Sequence, residues 1–462
     1  MSISLDPMSL KLLIIIVGLF LIGVMGAIIS KPIIGLAVLC FTLPFNFFIR
    51  QLPVPFYPLL GAVILAGYFL AKYQTGTRQE NRSRSIRLEY ILVLLYVFWI
   101  VITNPSGALY STDLHHGETV ARSWMFTYLQ LAVLYYLGTQ ISPASHFSWL
   151  ALALMLGTAV SAMYGFDASN IGGSWAESSR LKGADGDPNF LAQWALCSFA
   201  FAPAVLAMCR ARWQKIAVLM LALLEMLIVI FSLSRTGLLT LSLLLIIWLI
   251  LGFSLGGMLN TRNLLLGLGG LIVVTLVATP WEYWSIMYNG IIGGVMEKQG
   301  SMGMRFSYWQ AAYEAFKSSP IWGIGVGNFK DFAQSLGSFR IDVVHNSYLD
   351  VLTENGIVGL TLFLAWQIIA LRRFWGVLKN AGDNSVRFYA LAGFSGLAAV
   401  MFMALTLNNQ YLKILWLLAG YSGAFTVPSL AQASQQPDGL TANLATLNQY
   451  PVAVGKSAKV FW

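Results

Sequence analysis

Charged residues are scarce in this sequence, and their scarcity excludes an ordinary soluble protein. Asp, Glu, Lys and Arg together make up 10% of the 462 residues, whereas hydrophobic residues make up 57%. A typical soluble domain carries about 25% charged residues. Long apolar runs fill the sequence instead, and a helix that spans a bilayer satisfies its backbone hydrogen bonds within its own segment. The composition therefore predicts a polytopic membrane protein.

Cysteine and histidine are also few, with three and four residues. Cys40, Cys197 and Cys209 lie within or at the edge of apolar runs, where cysteine behaves as a small hydrophobe, so we predict neither a disulfide framework nor a zinc site. His115 and His116 are adjacent in the 104–122 loop, but two histidines without a nearby third ligand support a metal site only weakly. The sequence predicts no metal and no cofactor.

The apolar runs predict an all-α fold, a transmembrane helix bundle of about 12 to 13 spans. We expect the membrane domain to occupy residues 1–431 and to include a long periplasmic loop, 281–355, with short amphipathic helices. Residues 432–462, rich in Ala, Gln, Asn and Ser, predict a disordered cytoplasmic tail. The runs at 10–29 and 32–49 fit either two spans or one broken hairpin.

The formal net charge is +9, but the basic residues fall in short clusters between apolar runs, which argues against a nucleic-acid partner. The clusters lie at 72–87, 210–215 and 372–387. By the positive-inside rule these loops face the cytoplasm. Helices crossing between them place four polar segments on the opposite face, namely 104–122, 166–188, 234–237 and 281–355. Three independent charge clusters thus predict that the polar segments lie on one side of the membrane.

The polar interval around His345 holds most of the chemistry available to the chain. We predict a helix that Asn346 or Ser347 caps and that ends at Asn355-Gly356, a typical left-handed stop. A lone histidine is usually structural or merely exposed. The predicted position of His345 on the water-exposed, non-cytoplasmic face favours a chemical role.

Arg305 opens a segment in which Phe306, Trp309, Tyr313 and Phe316 recur at helical spacing. The pattern predicts an amphipathic helix at the membrane surface, with Arg305 in its first turn. An aromatic interfacial belt, with the arginine extended to the interface, explains it equally well. The alternating glycines of 322–329 follow. No Gly-Lys-Ser/Thr accompanies them, which excludes a nucleotide P-loop, so they predict a close backbone approach.

Two further basic sites lie on the predicted outer face. Arg235, in Ser-Arg-Thr-Gly, interrupts a long apolar stretch, and a charge so placed marks function by default, the alternative being a lipid head group bound to it. Arg180 and Lys182 precede Asp187-Pro188, where Asp187 fits a helix N-cap. Arginines suit a diphosphate because the guanidinium donates two parallel hydrogen bonds. A histidine kept neutral by nearby cations accepts a proton from a hydroxyl.

Together these residues resemble the O-antigen ligase and O-antigen polymerase family of bacterial membrane glycosyltransferases. The resemblance rests on Arg235, on Arg305 with Trp309, on the glycine run 322–329, and most of all on His345-Asn346-Ser347-Tyr348 with the downstream 354–359 segment. It covers roughly residues 160–410. The Arg180 segment matches less well.

The resemblance implies a metal-independent transferase in the bacterial inner membrane, with its site facing the periplasm. The implied donor is a glycan on undecaprenyl diphosphate, and the acceptor is a lipid A core sugar or another glycan. Arg235 and Arg305 are expected to hold the diphosphate, joined by Arg180 and Lys182, while His345 orients or deprotonates the acceptor hydroxyl and the anomeric centre is inverted. Asp342, Asp350 and Glu354 are candidate partners of His345, none of them favoured as the base.

Three alternatives to an O-antigen ligase stay open. An O-antigen or exopolysaccharide polymerase uses the same donor and passes the glycan to another carrier-linked unit. A protein O-glycosylation transferase belongs to the same class. A lipid-linked sugar transporter is of a different class, and it is less favoured because the cations lie at one face and no internal repeat is visible.

Overall fold

A computed structural model describes the positions 23–52, 55–74, 88–104, 114–141, 146–165, 180–254, 269, 301–337 and 343–425. Within these ranges the chain is helical and contains no strand. The helices, in chain order, are α1 Gly23–Ser30, α2 Pro32–Thr42, α3 Asn46–Arg50, α4 Phe56–Gln74, α5 Leu88–Thr103, α6 Leu114–Thr139, α7 His146–Tyr164, α8 Pro188–Met208, α9 Arg212–Phe231, α10 Arg235–Ser254, α11 Ser301–Ser318, α12 Phe329–Ser335, α13 Ser347–Asn380, α14 Asn384–Met403 and α15 Lys413–Ser422.

Six of the described helices are long and apolar enough to cross a membrane: α4, α7, α8, α9, α13 and α14. A seventh candidate is the pair α1 and α2, bent by 115° at the break before Pro32, which matches the broken arrangement considered for 10–29 and 32–49. Helix α5 and the apolar part of α10 are shorter. The all-α polytopic bundle is confirmed. Other predicted spans, such as most of 264–280, and the predicted tail 432–462 lie outside the described positions.

Helix α8 forms the centre of the bundle. It packs against α7, α9 and α14, and most of its residues are buried. Alanines at positions 192, 195, 200 and 204 line it, and small side chains let membrane helices approach closely. Its first residue follows directly from Asp187, whose carboxylate accepts hydrogen bonds from Asn189 N and Phe190 N. The predicted N-cap is therefore present, and it fixes the 180–187 segment at one end of the bundle.

A second, smaller core lies at the same end of the bundle. It joins α11, α12 and the first turns of α13 through a set of small and apolar side chains: Ala311, Ala312, Ala315, Ile324, Phe329, Ala333 and Val344. The described part of α11 begins at Ser301, so Arg305 lies in its second turn rather than the first. Phe306 and Tyr313 are 60% and 59% exposed. The helix thus has an amphipathic arrangement, with its alanines packed inward and these aromatics outward.

The glycine run docks onto a kink in α13. Gly356 has φ +66°, and a Cβ there would overlap the carbonyl oxygen of Ile321. Gly323, at φ +76°, approaches the Glu354 carbonyl in the same way. Backbone hydrogen bonds join the two segments, from Gly325 N to Glu354 O and from Ile357 N to the carbonyl of the residue before Ile321, each 2.9 Å long. The close backbone approach predicted from the glycines is present.

The predicted end of this helix at Asn355-Gly356 is only partly right. Gly356 does take the left-handed conformation, but the helix resumes beyond it and continues to Asn380. The glycine turn supplies partners to the backbone groups that the break leaves open. Trp99 on α5 donates its indole N–H to Asn355 O at 2.8 Å and stacks on Trp322 at 4.8 Å. The kink is therefore held from two sides.

Arg373, in one of the predicted cytoplasmic charge clusters, links two helices. Arg373 on α13 forms an ion pair with Glu89 on α5, and the Glu89 side chain is only 3% exposed. The partly exposed Arg373 pairs directly with the buried Glu89, which thereby avoids the cost of an isolated buried charge. Arg373 therefore links two helices in addition to contributing to the topology signal.

Candidate functional site

The structure joins the Arg180 segment to the turn before Arg235. Arg180 donates from Nε to Ser232 O at 2.9 Å and from Nη2 to the side-chain oxygen of Asn189 at 3.1 Å. Leu181 N donates to the carbonyl of Phe231. These bonds use part of the guanidinium of Arg180 to fix the turn in place. Arg180 therefore has a positioning role that its sequence context did not reveal.

Arg235 is the first residue of α10, directly after this turn. Ser234 caps the helix by accepting from Gly237 N at 3.2 Å. One residue further along α10, Thr236 accepts a hydrogen bond from Thr406 Oγ1 at 2.9 Å. The 404–410 turn that carries Thr406 also holds the start of the His345 helix, because Ser347 Oγ donates to Leu407 O at 2.6 Å. The residues that follow Arg235 and His345 are thus both hydrogen-bonded to this turn.

His345 lies against α11. Its imidazole stacks on Tyr308, with ring centroids 5.8 Å apart and 26° between the planes. Tyr308 follows Arg305 by three residues, so it lies on the same side of α11. His345 itself has φ +55°, a left-handed backbone that non-glycine residues adopt rarely. Asn346 then caps α13 by accepting from Tyr348 N and Leu349 N, as predicted.

The charges of this cluster act on one another. Burial lowers the pKa of His345 the most, and the charge of Arg305 lowers it further. The charge of Asp187 raises it. Burial and the nearby Arg235 lower the pKa of Arg305, and Asp187 opposes this too. Arg305 and Asp187 therefore lie within electrostatic reach of His345, and Arg235 lies within electrostatic reach of Arg305. The imidazole is favoured in its neutral form near neutral pH.

Neither Arg235 nor Arg305 forms an ion pair or a hydrogen bond with any described residue, although both side chains are half-buried. Trp309, one turn beyond Arg305, has a buried indole N–H that likewise lacks a partner in the described ranges. Half-buried cations and a buried donor without partners are costly unless an anion or a polar ligand meets them. The arrangement suits a ligand that carries at least one anionic, oxygen-rich group.

The two buried carboxylates beyond His345 point to other partners. Asp350 accepts from the side-chain amides of Asn408 and Gln410. Glu354 accepts from Gly327 N at 2.8 Å and from the Tyr411 hydroxyl at 3.2 Å. Neither carboxylate has a hydrogen bond to His345. Glu354 instead stabilises the glycine run, and both carboxylates stabilise the 404–411 turn. The sequence carried one sign of this, the polar run Asn-Asn-Gln at 408–410 between two apolar runs.

The remaining candidates are Lys182, Asp342, His115 and His116. Lys182 is half-buried and makes no hydrogen bond or ion pair with the described residues. Asp342 and the side chains of His115 and His116 lie outside the described part of the chain. In the part that is described, no three His, Cys, Asp or Glu side chains group as metal ligands.

Comparison with known proteins identifies one family. Residues 216–364 match the model of the family described as O-antigen ligase. The matched segment is about a third of the chain and contains Arg235, Arg305 and His345, whereas the Arg180 segment precedes it. The predicted resemblance, drawn over roughly 160–410, is confirmed for 216–364. No curated protein matches the chain.

Proposed function

Starting from the O-antigen ligase domain of residues 216–364, we propose that the protein transfers a glycan from undecaprenyl diphosphate to a lipid A core hydroxyl. The site would face the periplasm from the inner membrane. One observation carries the proposal: Arg305, which acts on His345, and the nearby Arg235 are half-buried arginines without partners among the described residues, and His345 is favoured in its neutral form. A diphosphate leaving group needs the cations, and an acceptor hydroxyl needs the base.

The step itself requires no further group. His345 takes the proton of the acceptor hydroxyl, and the hydroxyl oxygen forms a bond to the anomeric carbon. The bond from that carbon to the diphosphate oxygen breaks on the opposite side, which inverts the anomeric centre. Arg235 and Arg305 bind the diphosphate and stabilise the negative charge that it gains. Arg180 contributes by holding the turn before Arg235.

Replacement of His345 tests the role of the base. We expect His345→Ala and His345→Asn to lower the rate of glycan transfer by about 10²–10⁴-fold, the usual contribution of general base catalysis. Asn tolerates a left-handed backbone, so His345→Asn keeps the local conformation and removes only the proton acceptor. The measurement is transfer by the purified full chain in detergent, with membrane expression of each variant determined alongside.

A matched surface variant, Lys317→Gln, controls for general effects of removing a cation. Lys317 is exposed, lies on α11 as Arg305 does, and pairs with Glu314. It should leave transfer unchanged. Arg235→Gln and Arg305→Gln should each reduce transfer strongly and weaken donor binding. Normal transfer by His345→Asn would refute the proposal.

Chain-length analysis separates ligase from polymerase, which share donor and membrane face. A deletion strain that loses all polymer on lipid A core identifies a ligase, whereas single-repeat products identify a polymerase. Glycan attached to protein instead of lipid A would identify a protein O-glycosylation transferase. Sugar transfer by purified protein in detergent, without a second compartment, excludes a pure transporter.

A further inference from the structure

A cavity of about 790 Å³ lies beside the candidate site and contains none of its arginines. This volume is typical of sites that bind small ligands, which range over about 300–1,000 Å³. Helices α2, α3, α4, α6 and α8 and the turn before α15 form its walls. One part of its lining is apolar and comes from these helices, with Leu39, Leu43, Leu65, Leu131 and Leu134.

The other part of the lining is polar and centres on Lys413. The Lys413 ammonium donates to Asn46 Oδ1 at 3.0 Å and lies 4.1 Å above the centre of the Tyr57 ring. Arg50 also lines the cavity. Lys413 has no ion pair with a described residue, and an ammonium has three donors. Burial and the charge of Arg50 lower the pKa of Lys413 to about 7, so an anion that enters the polar end of the cavity would favour the charged ammonium.

Aromatic and amide side chains surround this cation. Trp124 packs against Tyr411 with ring centroids 4.3 Å apart, and both line the cavity. Asn408 lines it too, and its Oδ1 is buried without a partner among the described residues. Asp185, held by the indole N–H of Trp194 at 3.1 Å, adds a carboxylate. Flat rings beside hydrogen-bonding groups suit a sugar, with its apolar faces and many hydroxyls.

The cavity communicates with the His345 site through two shared residues. Asp187 lines the cavity, and its charge acts on both His345 and Arg305. Asn408 also lines it and donates to Asp350, which follows His345 by little more than one helical turn. A ligand held here would lie next to the base, on the side bordered by Asp187.

From these observations we propose that the cavity binds the lipid-anchored acceptor, with Lys413 contacting a phosphate on that lipid and the Trp124–Tyr411 pair contacting its sugar. The proposal rests on the proposed transferase function and adds the location and chemistry of the second substrate. The apolar wall suits hydrocarbon, and the ammonium suits phosphate as a point charge. The donor diphosphate is better matched by the forked guanidiniums of Arg235 and Arg305.

The test compares acceptors with and without phosphate. The probes are purified lipid A core and the same material after enzymatic dephosphorylation, with undecaprenyl-diphosphate glycan as donor and the full chain in detergent. We expect Lys413→Gln to raise the acceptor KM about tenfold or more while donor KM and kcat stay within about twofold. With dephosphorylated acceptor, wild type and Lys413→Gln should have the same KM, because the interaction is already absent.

Two variants make the result specific. Lys413→Arg, which keeps the charge, should recover most of the acceptor affinity, and Lys317→Gln should behave as wild type. A Lys413→Gln protein that raises donor KM, or that raises acceptor KM equally for both acceptors, would overturn the assignment. So would a change in co-purified phospholipid with acceptor KM unaffected, because the cavity would then hold bulk lipid.

Native mass spectrometry separates failure of this inference from failure of the proposed function. His345→Asn should retain phosphorylated lipid A core as wild type does, and Lys413→Gln should lose it, whether or not transfer is measured. Equal retention by all three proteins would refute the cavity assignment and leave the role of His345 untouched.

Discussion

His345 gains its chemical character from neighbours that are distant in the sequence. The imidazole stacks on Tyr308 of α11, and its pKa is lowered by burial and by Arg305 and raised by Asp187. These contributions come from two segments of the chain, α11 and the turn before α8. A single polar interval in the sequence therefore cannot specify the protonation state of the histidine, which depends on how the segments meet.

Removal of the Asp187 charge tests this dependence on pH. In the proposed mechanism the neutral imidazole accepts the proton, so transfer should fall as pH drops through the His345 pKa. Asp187 raises that pKa, and Asp187→Asn removes the effect while keeping a good N-cap for α8. We expect the acid limb of the kcat/KM profile to move to lower pH. Steady-state transfer measured across pH checks the shift.

The matched control is Asp383→Asn, because Asp383 caps α14 in the same way, accepting from Ser385 N at 2.7 Å. Its charge does not contribute to the pKa of His345. This variant should leave the profile in place. An acid limb that stays unmoved in Asp187→Asn would show that the titrating group is not His345.

At the scale of elements, the site depends on a kinked helix and the turns that brace it. Helix α13 presents His345 at one end, while the glycine run and Trp99 hold its kink. The 404–410 turn ties its first residues to α10. Three separate segments thus hold the outer part of α13 in position. A substitution that displaces any of them should also displace His345.

Substitution of Gly356 tests the importance of the kink. A Cβ at Gly356 would meet the Ile321 carbonyl and would also occupy a left-handed backbone conformation. We expect Gly356→Ala to lower the melting temperature in detergent and to reduce transfer. The control is Gly376→Ala in the same helix, where a Cβ would have open space.

Gly376→Ala should stabilise the protein by about 0.5–1 kcal/mol, because glycine within a helix is less favourable than alanine by that amount. Thermal unfolding followed by circular dichroism measures both variants. Equal melting temperatures for Gly356→Ala and Gly376→Ala would argue against a structural requirement for the kink.

At the scale of the whole molecule, the described parts of three polar segments, 180–187, 234–237 and 301–337, lie close together. The sequence predicted this from basic clusters, together with the helical class, the caps at Asp187 and Asn346 and the left-handed Gly356. These features depend on local pattern. The role of Arg180, the partners of Asp350 and the cavity around Lys413 were not predicted, because each depends on contacts between segments far apart in the chain.

Cysteine labelling tests the predicted orientation of the bundle. Gln310 on α11 and Asn380 at the end of α13 are both exposed. In a protein with Cys209→Ala, which leaves only the buried Cys40 and Cys197, we expect an impermeant thiol reagent to modify Gln310→Cys in intact cells with a permeable outer membrane. Asn380→Cys should react only after lysis. The reverse pattern would place the site in the cytoplasm.

The hydrogen bond between Trp99 and Asn355 has a consequence for biogenesis. Its partners are 256 residues apart, and those of the Lys413–Asn46 bond are 367 apart. At a translation rate of about 5–20 residues per second, roughly ten to fifty seconds separate synthesis of Trp99 from that of its acceptor. During this interval the early helices lie in the bilayer while these polar groups lack their hydrogen-bond partners. Chaperones or insertases that shield α5 during this interval would thus influence how much active enzyme accumulates.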